Sequence, residues 1–156
     1  MMTTATPPDV IEKEIVLRAP RSRVWRALTD AREFGSWFRA EIDGAFAPGR
    51  TARGRILHPG YEHLTFEMVI VQMEPESLFS FRWHPYAIDP DHDYSQEPRT
   101  LVVFELAEAA EGTRIRLTES GFDQIPLSRR AEAYRMNSQG WGTQLDNIAR
   151  HVEQPR

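Results

Sequence analysis

After Pro126 the apolar residues of this chain recur at helical spacing for about 25 residues, whereas from Ala40 to Ser120 they recur at every second position. A chain that changes period in this way can bury both apolar faces if a sheet packs against one long helix. The helical stripe carries Tyr134, Trp141, Leu145, Ile148 and Val152. At 1.5 Å per residue the helix spans about 37 Å, enough to cross a whole sheet.

Turn chemistry at Asp43-Gly44, Pro48-Gly49, Pro59-Gly60, Glu74-Pro75 and Glu111-Gly112 divides the period-two region into strands over 40–46, 51–57, 62–73, 77–84, 99–107 and 113–120. Their apolar rows are Leu64, Phe66, Met68 and Ile70; Phe79, Phe81 and Trp83; Val102, Phe104 and Leu106; and Ile115 with Leu117. An antiparallel meander is expected. Another strand is expected over 10–20, where Ile11, Ile15 and Leu17 alternate with polar positions. Next, Pro20 suits the first turn of a helix, and Val24, Trp25 and Leu28 share a helical face. Asp30 with Glu33 resembles a capping box ahead of Phe34, Trp37 and Phe38. The fold class is α+β: strand, two short helices, six strands, long helix.

A length of 156 residues fits one domain, placed over 9–154, with 1–8 expected as a disordered tail of small and proline residues. With no cysteine, disulfides, thiolate metal sites and a Cys nucleophile are excluded. A net charge of −4 argues against a nucleic-acid partner, which calls for a basic face. No basic-then-apolar leader and no run approaching the roughly 18 apolar residues of a membrane span is present, so no membrane partner and a cytoplasmic location are expected.

Four segments carry a resemblance to a known family: WRALTDAREFGSWF (25–38), VQMEPESLFSFRW (71–83), GTRIRLTESGF (112–122) and GWGTQLDNI (140–148). Over about residues 10–152 the chain resembles the family homologous to the activator of heat-shock protein 90 ATPase, in the START-like SRPBCC superfamily. The resemblance implies a helix-grip fold, a strongly bent seven-stranded antiparallel sheet wrapped around the C-terminal helix, with a cavity for an apolar or aromatic small molecule. No cofactor is expected. Members include carriers of hydrophobic ligands, polyketide cyclases and dehydratases, and stress-associated proteins, so function varies while the fold stays. The chaperone-activating members carry a second domain for which this length leaves no room, and a chaperone role is not the expectation here. The segment HPYAIDPDHDYSQEPR (84–99) is longer than a plain hairpin and is expected to lid one end of the cavity.

Trp37, Phe38, Phe66, Met68, Trp83, Phe104, Tyr134 and Trp141 are the candidate cavity wall, weighed against simple core filling. Asn137 and Tyr134 are candidates for orienting a ligand; Ser138 reads as a solvated neighbour. Glu119 continues the inward alternation of Ile115 and Leu117 and is the one candidate acid or base. Its simpler reading is a strand-end carboxylate that reaches solvent or pairs with an Arg. Gly140 and Gly142 flank Trp141 inside the helix, where close approach to the sheet or a bend would explain them, against a kink without a role. The run Asp89, Asp91, His92 and Asp93 lacks EF-hand spacing, and no HExxH, GxSxG or phosphate-binding glycine loop occurs, so no metal site and no catalytic residue are assigned. His58, His63, His84 and His151 read as structural. Binding of an apolar or aromatic small molecule is the expected function. The alternatives are an enzyme of cyclase, dehydratase or hydrolase type using the same cavity, and a protein-interaction or chaperone-associated module.

Overall fold

The computed structural model describes residues 9–153, so the tail expected over 1–8 and residue 154 lie outside the described residues. Strand β1 (Val10–Leu17) leads into helices α1 (Arg21–Thr29) and α2 (Ala31–Phe38). Strands β2 (Ala40–Asp43), β3 (Thr51–Ile56), β4 (Thr65–Glu74), β5 (Leu78–Trp83), β6 (Thr100–Ala109) and β7 (Gly112–Ser120) follow, then a short 3-10 turn and α3 (Leu127–Glu153). All pairings are antiparallel in the order β1-β7-β6-β5-β4-β3-β2, so the meander is completed by the first strand pairing with the last. The α1–α2 pair carries the chain from one sheet edge to the other.

Three strands differ from the expected ranges, and β1, expected to residue 20, ends at Leu17 because the chain bends at Arg18 and Ala19 ahead of α1. β2 stops at Asp43 because Gly44, at φ 81°, turns the chain there. β4 starts at Thr65 because residues 57–64 form turns, with Tyr61 N donating to His58 O at 2.9 Å and Leu64 N to Tyr61 O at 3.0 Å. The inward rows meet α3: Met68, Ile70, Phe79, Phe81, Val102, Phe104, Ile115 and Leu117 are fully buried together with Ile148, and Trp141, Leu145 and Val152 nearly so. Each such apolar side chain contributes about 1.5–3 kcal/mol by leaving water. Among the described residues no helix is long and apolar enough to cross a membrane.

Asp30 caps α2 as its spacing suggests, accepting from Arg32 N at 3.0 Å and Glu33 N at 3.1 Å. The reciprocal half of the capping box is not made. Glu33 turns instead to Arg23 (2.6 Å), Arg26 (2.8 Å) and His151 (2.9 Å), tying α1, α2 and α3 together. Burial alone would raise the Glu33 pKa, but these hydrogen bonds outweigh it and hold the carboxyl at about 2, below its ordinary 4.5. The folded state therefore favours the charged form, and the stability it adds is complete above pH 4.5 and disappears as pH falls through about 2. Glu33→Gln is expected to cost about 1–2 kcal/mol at pH 7. In urea melts that deficit should shrink toward pH 2, the pH at which the wild-type carboxyl itself takes up a proton.

α3 runs through Gly140 and Gly142 without interruption, and a Cβ at either would meet nothing within 4 Å beyond the helix's own backbone. Close approach to the sheet does not explain them. Gly140→Ala and Gly142→Ala are each expected to stabilise the protein by up to about 1 kcal/mol, read as a rise in melting temperature.

Candidate functional site

The apolar row of β5 ends on Trp83, and the chain then leaves the sheet through His84-Pro85-Tyr86, where Tyr86 takes a left-handed backbone at φ 51°. A positive φ is uncommon for a bulky residue and turns the segment back over the end of the sheet. Beneath it lies a cleft of about 460 Å³, within the size range of small-molecule sites. Its walls come from four places: Phe38 at the end of α2, Ile56 of β3 with Leu64 and Thr65–Glu67 at the start of β4, Trp83 at the end of β5 with His84 after it, and Asn137 of α3. Tyr86, Ala87, Ile88, Tyr94, Ser95 and Arg99 complete it.

Three aromatic rings form its floor. Phe38 packs against Phe66 and Trp83 at centroid distances of 5.8 and 5.9 Å. Phe66 has room because its cross-strand partner is Gly54, where a Cβ would come within 2.8 Å of the ring. A smaller cavity of about 150 Å³ adjoins the cleft through Phe38, Trp83 and Asn137 and is completed by Met136, Gly140, Trp141 and Gln144. Gly140 thus borders open space.

Behind Trp83 lies Glu119, whose side chain is sealed from solvent. Its carboxyl accepts from Trp83 Nε1 (2.9 Å), Thr100 Oγ1 (2.6 Å), Trp141 Nε1 (2.7 Å) and Asn137 Nδ2 (3.1 Å to each oxygen). These donors come from β5, β6 and α3, so one β7 carboxyl joins the sheet to the helix. The two indoles it holds stack on one another, with centroids 5.6 Å apart and planes 25° apart. The expected solvent-reaching or Arg-paired carboxylate is not what is found: the inward alternation of β7 continues to its end, and all the partners are neutral. Burial pushes the Glu119 pKa up, against the pull of its four donors. Glu119 does not line the cleft; it holds residues that do.

The segment 84–99 is latched rather than free. Arg129, in the first turn of α3, donates from Nε to Glu97 (2.9 Å), forms an ion pair with the same carboxylate (Nη2 at 2.8 Å) and donates from Nη1 to the carbonyl of Pro85 (2.8 Å). Its guanidinium also lies 4.7 Å from the centroid of the Tyr94 ring. The acidic run serves the loop's own turns: Asp89 accepts from Asp91 N and Asp93 from Ser95 N, both at 2.9 Å, while His92 bonds Glu97 at 2.7 Å.

Of the candidate wall, Phe38, Phe66 and Trp83 line the cleft, as does the candidate orienting residue Asn137, and Trp141 borders the smaller cavity. Trp37, Met68, Phe104 and Tyr134 do not. Trp37 donates to Ala27 O at 2.8 Å and stays in the interior of the α1–α2 pair. Met68 and Phe104 are fully buried under other rings of the core. Tyr134 faces β1, donating to Val10 O at 3.1 Å with its ring against Phe122. Ser138 is half-buried. His84, Tyr86, Ile88, Tyr94 and Arg99 were missed, although Tyr86, Ala87, Ile88 and Tyr94 are apolar exceptions in an acidic stretch and carry a legible signal of a packed loop.

His84 is unusual. It lines the cleft, yet neither ring nitrogen has a hydrogen-bond partner among the described residues. Burial lowers its pKa, and the nearby Arg99 charge lowers it further against an opposing effect of Glu97. The balance of these effects favours the neutral imidazole.

A family model described as Activator of Hsp90 ATPase homolog 1-like protein matches residues 18–153. Among solved structures, the protein MLL2253 from Mesorhizobium loti aligns with a TM-score of 0.74 at 21% identity, covering 94% of this chain and 98% of that one. The solution structure of the Aha1 dimer from Colwellia psychrerythraea aligns at 0.70 and 17% identity, over 92% of this chain and 96% of that one. DynU16, a protein of the dynemicin biosynthetic locus, aligns at 0.72 and 24% identity over 95% of this chain but 48% of its own. At these identities the shared property is the fold. None of the curated proteins matches the chain.

Proposed function

Since the chain belongs to the family of Activator of Hsp90 ATPase homolog 1-like proteins, whose helix-grip sheet is closed here by a long helix, we propose that it binds an apolar or aromatic small molecule in the cleft under residues 84–99. The carrying observation is the lining: Phe38, Phe66, Trp83, Ile56, Leu64 and Ile88 offer a mostly apolar surface with a few polar groups at its margin. That is the usual make-up of a small-molecule site. Proton transfer by Glu119 draws no support from the geometry, because Trp83 and Asn137 stand between its carboxyl and the cleft. Binding is therefore favoured over turnover.

A thermal-shift screen with lipids, flavonoids and other fused aromatics tests this. A ligand at a hundred times its dissociation constant adds about 2.7 kcal/mol, so a hit should raise the melting temperature by several degrees. Phe66→Asp, which places a charge on the cleft floor, should abolish the shift. A flat response across the panel counts against binding, and a hit that is chemically transformed favours the enzymatic alternative.

A further inference from the structure

Resting on that binding role, we infer that the ligand of the cleft carries a hydrogen-bond donor, a hydroxyl or an N–H, which it sets on Oδ1 of Asn137. Glu119 fixes which way this amide faces. Nδ2 lies 3.1 Å from each oxygen of the buried carboxyl and donates to it, whereas the reverse orientation would press an amide oxygen against both. Protonation of Glu119 keeps this arrangement, because of its four partner atoms only Thr100 Oγ1, at 2.6 Å, has a lone pair to accept the acid proton. With Nδ2 turned inward, Oδ1 is turned away. It accepts from no described group, and the sealed unpartnered atoms of the described residues do not include it, so it opens on accessible space. The spaces that Asn137 borders are the cleft and its side chamber.

An amide oxygen can only accept. A ligand end without a donor would take Oδ1 out of water and leave it unmet, which weakens binding. The approach is open: Gly140, one turn further along α3, carries no side chain to cover the amide, and a Cβ there would meet nothing within 4 Å beyond the helix's own backbone. Another acceptor of the lining, Glu67, is already shared by Arg53 at 2.8 Å and Arg99 at 3.3 Å. Phe38 and Trp83 border both spaces together with Asn137. An aromatic ring that bears the donor itself, as in a phenol or an indole, therefore suits the surroundings.

The probes are 2-naphthol and 2-methylnaphthalene, alike in size and shape, with a donor on the first alone. Because the two differ in their own hydration, the readout is the preference for the naphthol in wild-type protein against that in Asn137→Leu, where ligand hydration cancels. In calorimetric titrations that preference should fall at least about fivefold in the variant. Asn137→Leu also takes a donor from Glu119, so a companion measurement uses wild-type protein alone. The carbon-13 resonance of Asn137 Cγ should move downfield when the naphthol binds and not with the hydrocarbon. A smaller fall in a folded variant, or a Cγ resonance that responds alike to both probes, overturns the donor assignment and leaves the cleft as a binding site. If neither probe binds, the assignment falls, and the binding role falls with it only if the thermal-shift panel is flat as well.

Discussion

Glu119→Leu is expected to cost at least about 3 kcal/mol and to lower the melting temperature by roughly 6–12 °C. Leucine fills a similar volume but accepts nothing, so two indole N–H groups, the Thr100 hydroxyl and the Asn137 amide lose their partner in a site without solvent. Leaving buried donors unmet costs about 1–3 kcal/mol each before relaxation. Glu119→Gln should fall between, because its amide keeps one acceptor oxygen but sets an NH₂ group against at least one donor-only indole. Trp141→Phe on its own removes one of those donors, and combined with Glu119→Leu its cost should be clearly less than additive. An additive pair would mean that the carboxyl does not hold the indole.

The same residue gives stability a pH dependence opposite in sign to that of Glu33. With its pKa raised by burial, the folded state favours the protonated acid. The stability this adds is complete below the ordinary carboxyl value of 4.5 and is lost as pH rises through the raised folded value. Comparing wild type with Glu119→Gln by urea melts from pH 4 to pH 8, the wild-type advantage should be largest at the acid end. An advantage that grows with pH would mean that the four donors outweigh burial and hold the group as an anion.

Arg129→Met should have the next largest effect, about 2–3 kcal/mol. It removes the Glu97 ion pair, the bond to the Pro85 carbonyl and the contact over Tyr94, while methionine keeps part of the apolar stem. Because those partners all lie in residues 84–99, the loss should be local. Amide exchange should accelerate across 85–97 and remain slow in β6 and β7, and a cleft ligand should dissociate faster with little change in its rate of entry. Uniformly faster exchange over the sheet would contradict a local latch.

The architecture was legible because hydrophobic period is a local property: alternating rows announce strands and the stripe after Pro126 announces α3. Asp30 was legible for the same reason, since a cap acts within three residues. The His151 partner of Glu33 was not, because it lies 118 residues away and only folding brings it near. Glu119 shows the limit most clearly. Its inward direction follows from alternation, but the choice between an Arg partner and four neutral donors depends on where Trp83, Thr100, Asn137 and Trp141 converge. Half-legibility of the cleft has a similar cause. Large apolar residues mark the interior as a whole, and Met68 or Phe104 cannot be told from Phe66 until one knows that Gly54 leaves a gap under one ring and not under the others.

The four tryptophans offer the most direct test of ligand binding in the cleft, since Trp83 lines it, Trp141 borders its side chamber, and Trp25 and Trp37 line neither. In a nitrogen-15 spectrum of the protein titrated with 2-naphthol, the Trp83 indole N–H should move most and Trp141 less, with Trp25 and Trp37 stationary. Saturable movement confined to Trp25 or Trp37, or no saturable movement at all, would contradict the proposal that this cleft is a binding site.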